Sequence, residues 1–170
     1  MALPFPDRAF DVAIMALVIF FVPEPPKGVA EMVRVVTPGG TVAAYAWDMM
    51  GGGFPLQPIQ TELRTMGFTP TLPPHFEASK IEALQALWTG AGLVEVETRR
   101  IDVQRSFVDF DDFWAAVTAA PTLDTLFASM PADTLAGLKT RVRARVNEDH
   151  AGRITYGAWA NAIKGRLPAR

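Results

Sequence analysis

Cysteine is absent from this chain of 170 residues, so it has no disulfide framework, no thiolate nucleophile and no Cys-ligated zinc, a usage that suits a reducing cytoplasm. Histidine is nearly absent: His75 lies in a proline-rich stretch and His150 in the turn Asp149-His150-Ala151-Gly152. Lys and Arg form no long block, and a net charge of −2 supplies no basic field, so neither nucleic acid nor a membrane surface is an expected partner. Long hydrophobic runs are also lacking. The apolar stretch Val12 to Val22 is too short to span a bilayer. Asp7 and Asp11 on its flank, and the want of a small-residue cleavage site, argue against a secretory signal. Finally, no Gly-x-Gly-x-x-Gly follows any strand pattern, which sets aside a nicotinamide-dependent enzyme.

What is present, 49% hydrophobic and 20% charged residues, suits one globular domain over residues 1–170. Phe10 to Val18 reads as a buried parallel strand. Pro26 to Val36 reads as a helix with Val29, Met32, Val33 and Val36 on one face and Glu31 and Arg34 opposite, as a solvated pair. Thr37-Pro38-Gly39-Gly40 reads as a turn, and Thr41 to Trp47 as a second strand. Strand, helix and strand in so short a stretch make a parallel βαβ unit of an α/β fold. The glycine pair is not a phosphate loop, because it follows a helix and opens a strand, the reverse of the order such a loop needs.

Residues 49–78, rich in Gly, Pro and Met around a helical stretch near Ile59 to Met66, form an irregular insertion at the carboxyl end of a parallel strand. Open α/β sheets bind ligands there, so the insertion reads as a lid or substrate pocket, or as a mobile surface connection. Ala78 to Gly90 has helical periodicity, and Leu93 to Phe107 alternates like a strand with one wet face. A helical excursion over 108–150 follows. It holds a helix over Asp109 to Val117 opened by an Asp cap, and another over Asp133 to Asn147 whose Lys139, Arg141, Arg143 and Arg145 form a solvated face. Arg153 to Lys164 reads as a last strand.

Leu3-Pro4-Phe5-Pro6-Asp7, Phe10-Asp11-Val12-Ala13, Phe20-Phe21-Val22-Pro23, Glu31-Met32-Val33-Arg34-Val35 and Pro38-Gly39-Gly40-Thr41-Val42 occur in this order. Together they resemble the second half of a class I S-adenosylmethionine-dependent methyltransferase, closest to the type 11 domain of the small-molecule enzymes. The resemblance implies a Rossmann-like sheet with helices on both faces, whose strands here correspond to 4-5-7-6, the last antiparallel. It implies that three strands, the Gly-rich cofactor loop and the ribose carboxylate lie upstream of Met1, on the order of 70 to 100 residues if each strand-helix unit takes ~30. The strand at 10–18 then has an uncovered edge, to be met by a homodimer partner or by the missing half.

The resemblance also implies site residues. Leu3 and Phe5 flank the adenine of S-adenosylmethionine, and Met15, Ala16 and Leu17 face its methionyl part. Phe20-Phe21 stands where many relatives carry His-His and suggests, with Trp47, Phe54 and Trp114, an apolar wall for a small-molecule acceptor. Transfer from a sulfonium is an in-line displacement that needs a base only to unmask the nucleophile. Asp48, after Trp47, is the first candidate base, or else a cap for the next helix; His75 is the second, or else an exposed loop residue. A noncatalytic domain that self-associates through its sheet edge is the alternative function.

Overall fold

The structure, a computed structural model, describes residues 2–169; Met1, and the reading of it as an internal methionine, lies outside them. The chain forms β1 (Phe10–Ala16), α1 (Pro25–Val35), β2 (Val36–Trp47), α2 (Gln57–Thr65), α3 (Ile81–Gly90), β3 (Val94–Phe107), α4 (Phe110–Thr118), α5 (Pro121–Ala128), α6 (Ala132–Arg143) and β4 (Ile154–Arg166). The sheet order is β1-β2-β4-β3. β1 and β2 are parallel and joined through α1, and β4 runs antiparallel to β2. This is the mixed α/β sheet, with an antiparallel last strand, that the resemblance implies. None of the described helices is long and apolar enough to cross a membrane.

Two compact units make up the chain: Met1–Gly53 with Pro73–Asp102 and Trp159–Arg170, and Phe54–Leu72 with Val103–Ala158. In the first, Pro25 and Pro26 open α1 where their missing N–H groups cost nothing. Its Val29, Met32 and Val35 are buried, as are Val42, Ala44 and Ala46 on one face of β2. Their partners across β4 are Gly165, Ile163 and Asn161, and in β1 Val42 and Ala44 pair with Ala13 and Met15. Trp88 of α3 is fully buried and its indole N–H donates to the Val42 carbonyl at 2.9 Å.

Two expectations change here. The turn at Thr37 to Gly40 is a bulge inside β2, since Phe10 pairs with Val36 and Val12 already with Thr41. Gly40 must be glycine, because a Cβ there would meet the Asp11 carbonyl oxygen at 2.6 Å. The buried-strand reading of the apolar run gives way to the uncovered edge that the resemblance implies: β1 ends the sheet among the described residues, with Val12 51% and Ile14 65% exposed. An apolar run is equally the signature of a strand covered by its neighbours and of one that lacks them.

In the second unit, Ile59 and Leu63 of α2, Phe110 and Phe113 of α4, and Leu138 of α6 share one core. Asp109 caps α4 as its position predicts, accepting from the Asp112 N–H at 2.9 Å. The basic residues near α6 are paired rather than simply solvated. Lys139 meets Asp111 and Arg143 meets Glu148, while Arg141 and Arg145 converge on the buried Glu62. The helix α5 is additional to the predicted elements; at eight residues it is too short for its periodicity to stand out.

Candidate functional site

The site is built from the segment ahead of β1 and the helix after it. This arm bends at residues 4–5 and turns at 7–8, and side chains of α1 hold it. Arg34 on α1 is the anchor. Its guanidinium donates to the carbonyls of Phe5 and Leu3 at 2.9 and 3.1 Å, to Asp7 at 2.6 Å and to both oxygens of Glu31. Glu31 in turn accepts the Leu3 N–H at 2.7 Å. The pair read as solvated is therefore a clamp, with partners up to 31 residues away.

Hydrogen bonds from Arg34, and then from the Leu3 N–H, hold the Glu31 carboxyl down at about 2, and the Arg34 guanidinium is raised in return. Because the folded value lies below the ordinary carboxylate value of ~4.3, the clamp's stabilisation is complete above that pH. It is lost as pH falls toward about 2. In an acid titration the Leu3 amide resonance is expected to stay put through pH 4 and move with a midpoint near 2; a midpoint near the ordinary value contradicts the clamp.

Held this way, Leu3 and Phe5 line a groove of about 560 Å³ between β1 and α1, together with Met15, Ala16, Met32 and Val35. Four of the five residues expected at a cofactor, Leu3, Phe5, Met15 and Ala16, thus share one groove. Leu17 is not among the lining residues. It leaves β1 in a left-handed conformation, φ 56°, with its N–H on the Tyr45 carbonyl at 2.8 Å. Few residues other than glycine adopt that conformation, and they concentrate at functional turns.

Beyond Leu17 a single 3-10 turn, Ile19–Phe21, sets the Phe20 and Phe21 rings edge to face at 4.9 Å. Phe20 is buried and Phe21 exposed. The backbone N–H of His75 donates to the Phe20 carbonyl at 3.0 Å, so this candidate base and the aromatic pair are neighbours. Asp48 behaves differently. One carboxylate oxygen accepts the Gly51 N–H at 2.8 Å and the other the Trp159 indole N–H at 3.1 Å. Its main chain closes the same turn through Gly53 and Trp159. Asp48 therefore organises a glycine turn after β2, rather than capping a helix. Trp47 is half-buried in β2. Phe54 and Trp114 belong to the second unit and pack against its core. Arg34, Glu31 and Trp159 are the residues that sequence reasoning missed. Only the Glu31 to Arg34 spacing hints at any of them.

The groove suits a flat apolar ring, which Leu3 and Phe5 can contact on its faces. A ribose diol or an amino-acid terminus finds a single charged lining residue, Glu31, already engaged by Arg34 and Leu3. The residues present fit the adenine of S-adenosylmethionine and do not fit its polar remainder.

Known proteins resemble parts of this chain. Residues 1–44 match the family described as a methyltransferase domain. An uncharacterized protein of Mycobacterium tuberculosis is 42% identical over 50 residues, which are 29% of this chain and 18% of that protein; one of Mycobacterium bovis matches equally. The chain thus spans less than a fifth of these relatives. Among solved structures, the YcgJ protein of Bacillus subtilis superposes with a TM-score of 0.56 at 17% identity, over 98% of this chain and 68% of that one. A proposed methyltransferase of Bacillus halodurans does so with a TM-score of 0.52 at 15% identity, over the same shares of 98% and 68%. Residues 1–44 thus resemble a methyltransferase domain, and the chain shares the α/β fold of these two solved structures.

Proposed function

We propose that this chain serves an S-adenosylmethionine-dependent methyltransferase that acts on a small-molecule acceptor. The observation that carries the reading is a coincidence of place. The residues matching the family, 1–44, include the arm, β1 and α1, which also line the groove. In this reading Leu3 and Phe5 hold the adenine, while Met15, Ala16 and Leu17 border the methionyl end. Phe20, Phe21 and Trp47 are apolar contacts for the acceptor. The acceptor's proton is assigned to His75, because both oxygens of Asp48 are engaged in the glycine turn. A cytoplasmic setting accords with the absence of cysteine.

Ring contacts without partners for the ribose and amino-acid ends support only weak binding. For the chain alone, a Kd for S-adenosylhomocysteine on the order of 1 mM is expected. Removing one aromatic wall forfeits about 1.4 kcal/mol, or tenfold. Calorimetric titration of the wild type and of Phe5→Ala tests this. Saturable binding that weakens about tenfold in the variant supports the assignment; no binding to 10 mM ligand, or binding indifferent to Phe5, overturns it.

A further inference from the structure

Asn161 stands in β4 beside Ala160, Ala162 and Ile163, all apolar and buried, and is itself only 4% exposed. Leucine would fill the same space without the cost of burying an amide, so the amide is explained by its partner. Its Nδ2 donates to the Ser79 carbonyl at 2.9 Å. That carbonyl ends the 3-10 turn Phe76–Ser79, and the last carbonyls of a helical turn find no partner within it. Ser79 is fully buried and its Oγ donates to the Phe76 carbonyl at 2.6 Å. The turn is thus closed by its own side chain and tied to the sheet by one amide.

His75 leads into this turn. The Ala78 N–H donates to the His75 carbonyl at 2.9 Å, and the His75 N–H donates to the Phe20 carbonyl at 3.0 Å. Both main-chain groups of His75 are therefore engaged, one by the turn that Asn161 holds and the other by the turn that follows β1. Asn161 pairs across the sheet with Ala46, next to Trp47 at the end of β2. Phe20, His75, Ser79 and Asn161 all belong to the first unit. We propose that Asn161 is a positioning residue for His75: an amide on the last strand fixes the turn that sets where the imidazole leaves the backbone. The inference rests on the assignment of the acceptor's proton to His75 and extends it. A base must be held to within about 0.5 Å of its productive place, and a histidine that follows Pro73 and Pro74 in an irregular stretch gains that from contacts outside the stretch. The insertion over 49–78 thus has a fixed end.

The chain has two histidines, and His150 lies in the second unit, so its ring signals are an internal control in NMR spectra of the intact chain. In Asn161→Leu the His75 ring signals are expected to move toward their positions in the urea-unfolded chain. The His75 and Ala78 amides are expected to exchange about tenfold faster, the worth of the one hydrogen bond removed. The methyls of Val42 and Ile163 and the ring of His150 keep their folded positions, which a general loosening of the core would not allow. Ser79→Ala leaves the sheet untouched and loosens the turn from its other side, and is expected to move the same His75 signals by less. His75 signals unmoved in both variants, or displaced no further than those of Ile163, overturn the proposal. No methyl transfer enters the readout, so a failure of the His75 assignment, which would show as methyl transfer surviving His75→Ala, is read separately.

Discussion

Replacing Trp88 by alanine is expected to cost about 4 to 6 kcal/mol, most of what holds a unit of this size together. The indole is fully buried and lies over Gly165, where a Cβ would meet its Cδ1 at 3.0 Å. Truncation leaves a ring-sized cavity between α3 and the sheet, worth about 3 to 5 kcal/mol. It also removes the N–H that satisfies the Val42 carbonyl, worth about 1 kcal/mol more. Trp88→Phe separates the two contributions, since it keeps most of the volume and loses the hydrogen bond, for about 1 to 2 kcal/mol. Urea unfolding followed by circular dichroism reads both, and amide exchange in β2 tests the location: Val42 and its neighbours should lose protection first. A cost below about 2 kcal/mol for Trp88→Ala contradicts the packing described.

The second large effect is expected at Gly40. Alanine there would set a Cβ 2.6 Å from the backbone oxygen of Asp11 and 2.5 Å from a Val36 methyl. The methyl can rotate away. The carbonyl cannot move without parting β1 from β2 where their register shifts, between Phe10 and Val12. A cost of about 3 kcal/mol follows from overpacking and backbone displacement together. Gly39 differs, with φ 80° and open space around its Cβ position, so Gly39→Asn is expected to cost well under about 1 kcal/mol. Thermal unfolding of the two variants side by side distinguishes a close approach at one glycine from a conformational need at the other. Pro38-Gly39-Gly40 thus separates no two elements but lies inside β2, where it lets the two parallel strands meet across a bulge.

Local signals made part of this structure legible in the sequence. The apolar run from Phe10, the three-and-four spacing of Val29, Met32 and Val33, and the glycine pair after them specify β1, α1 and β2 within a few residues. Asp109 ahead of an apolar helix, and the Asp149 to Gly152 turn whose carboxylate accepts the Ala151 and Arg153 N–H groups, are equally local. Tertiary partners supply the rest. Nothing near Arg34 says that it reaches the carbonyls of Leu3 and Phe5, and nothing near Asp48 says that an indole 111 residues later takes one of its oxygens. The candidate site divides the same way. Leu3, Phe5, Met15 and Ala16 come from the order of short motifs and meet in one groove. The clamp that holds two of them there depends on side chains that read as ordinary surface charge.

The central claim is that the groove between β1 and α1 takes the adenine ring of S-adenosylmethionine, and the most direct test locates the ligand. The measurement is a methyl-resolved NMR titration of the intact chain with S-adenosylhomocysteine. Saturable shifts at the methyls of Leu3, Met15 and Ala16, with those of Leu138 and Ile154 in the second unit unmoved, are the result this account predicts. Shifts confined to other residues, or none at 10 mM ligand, would contradict it.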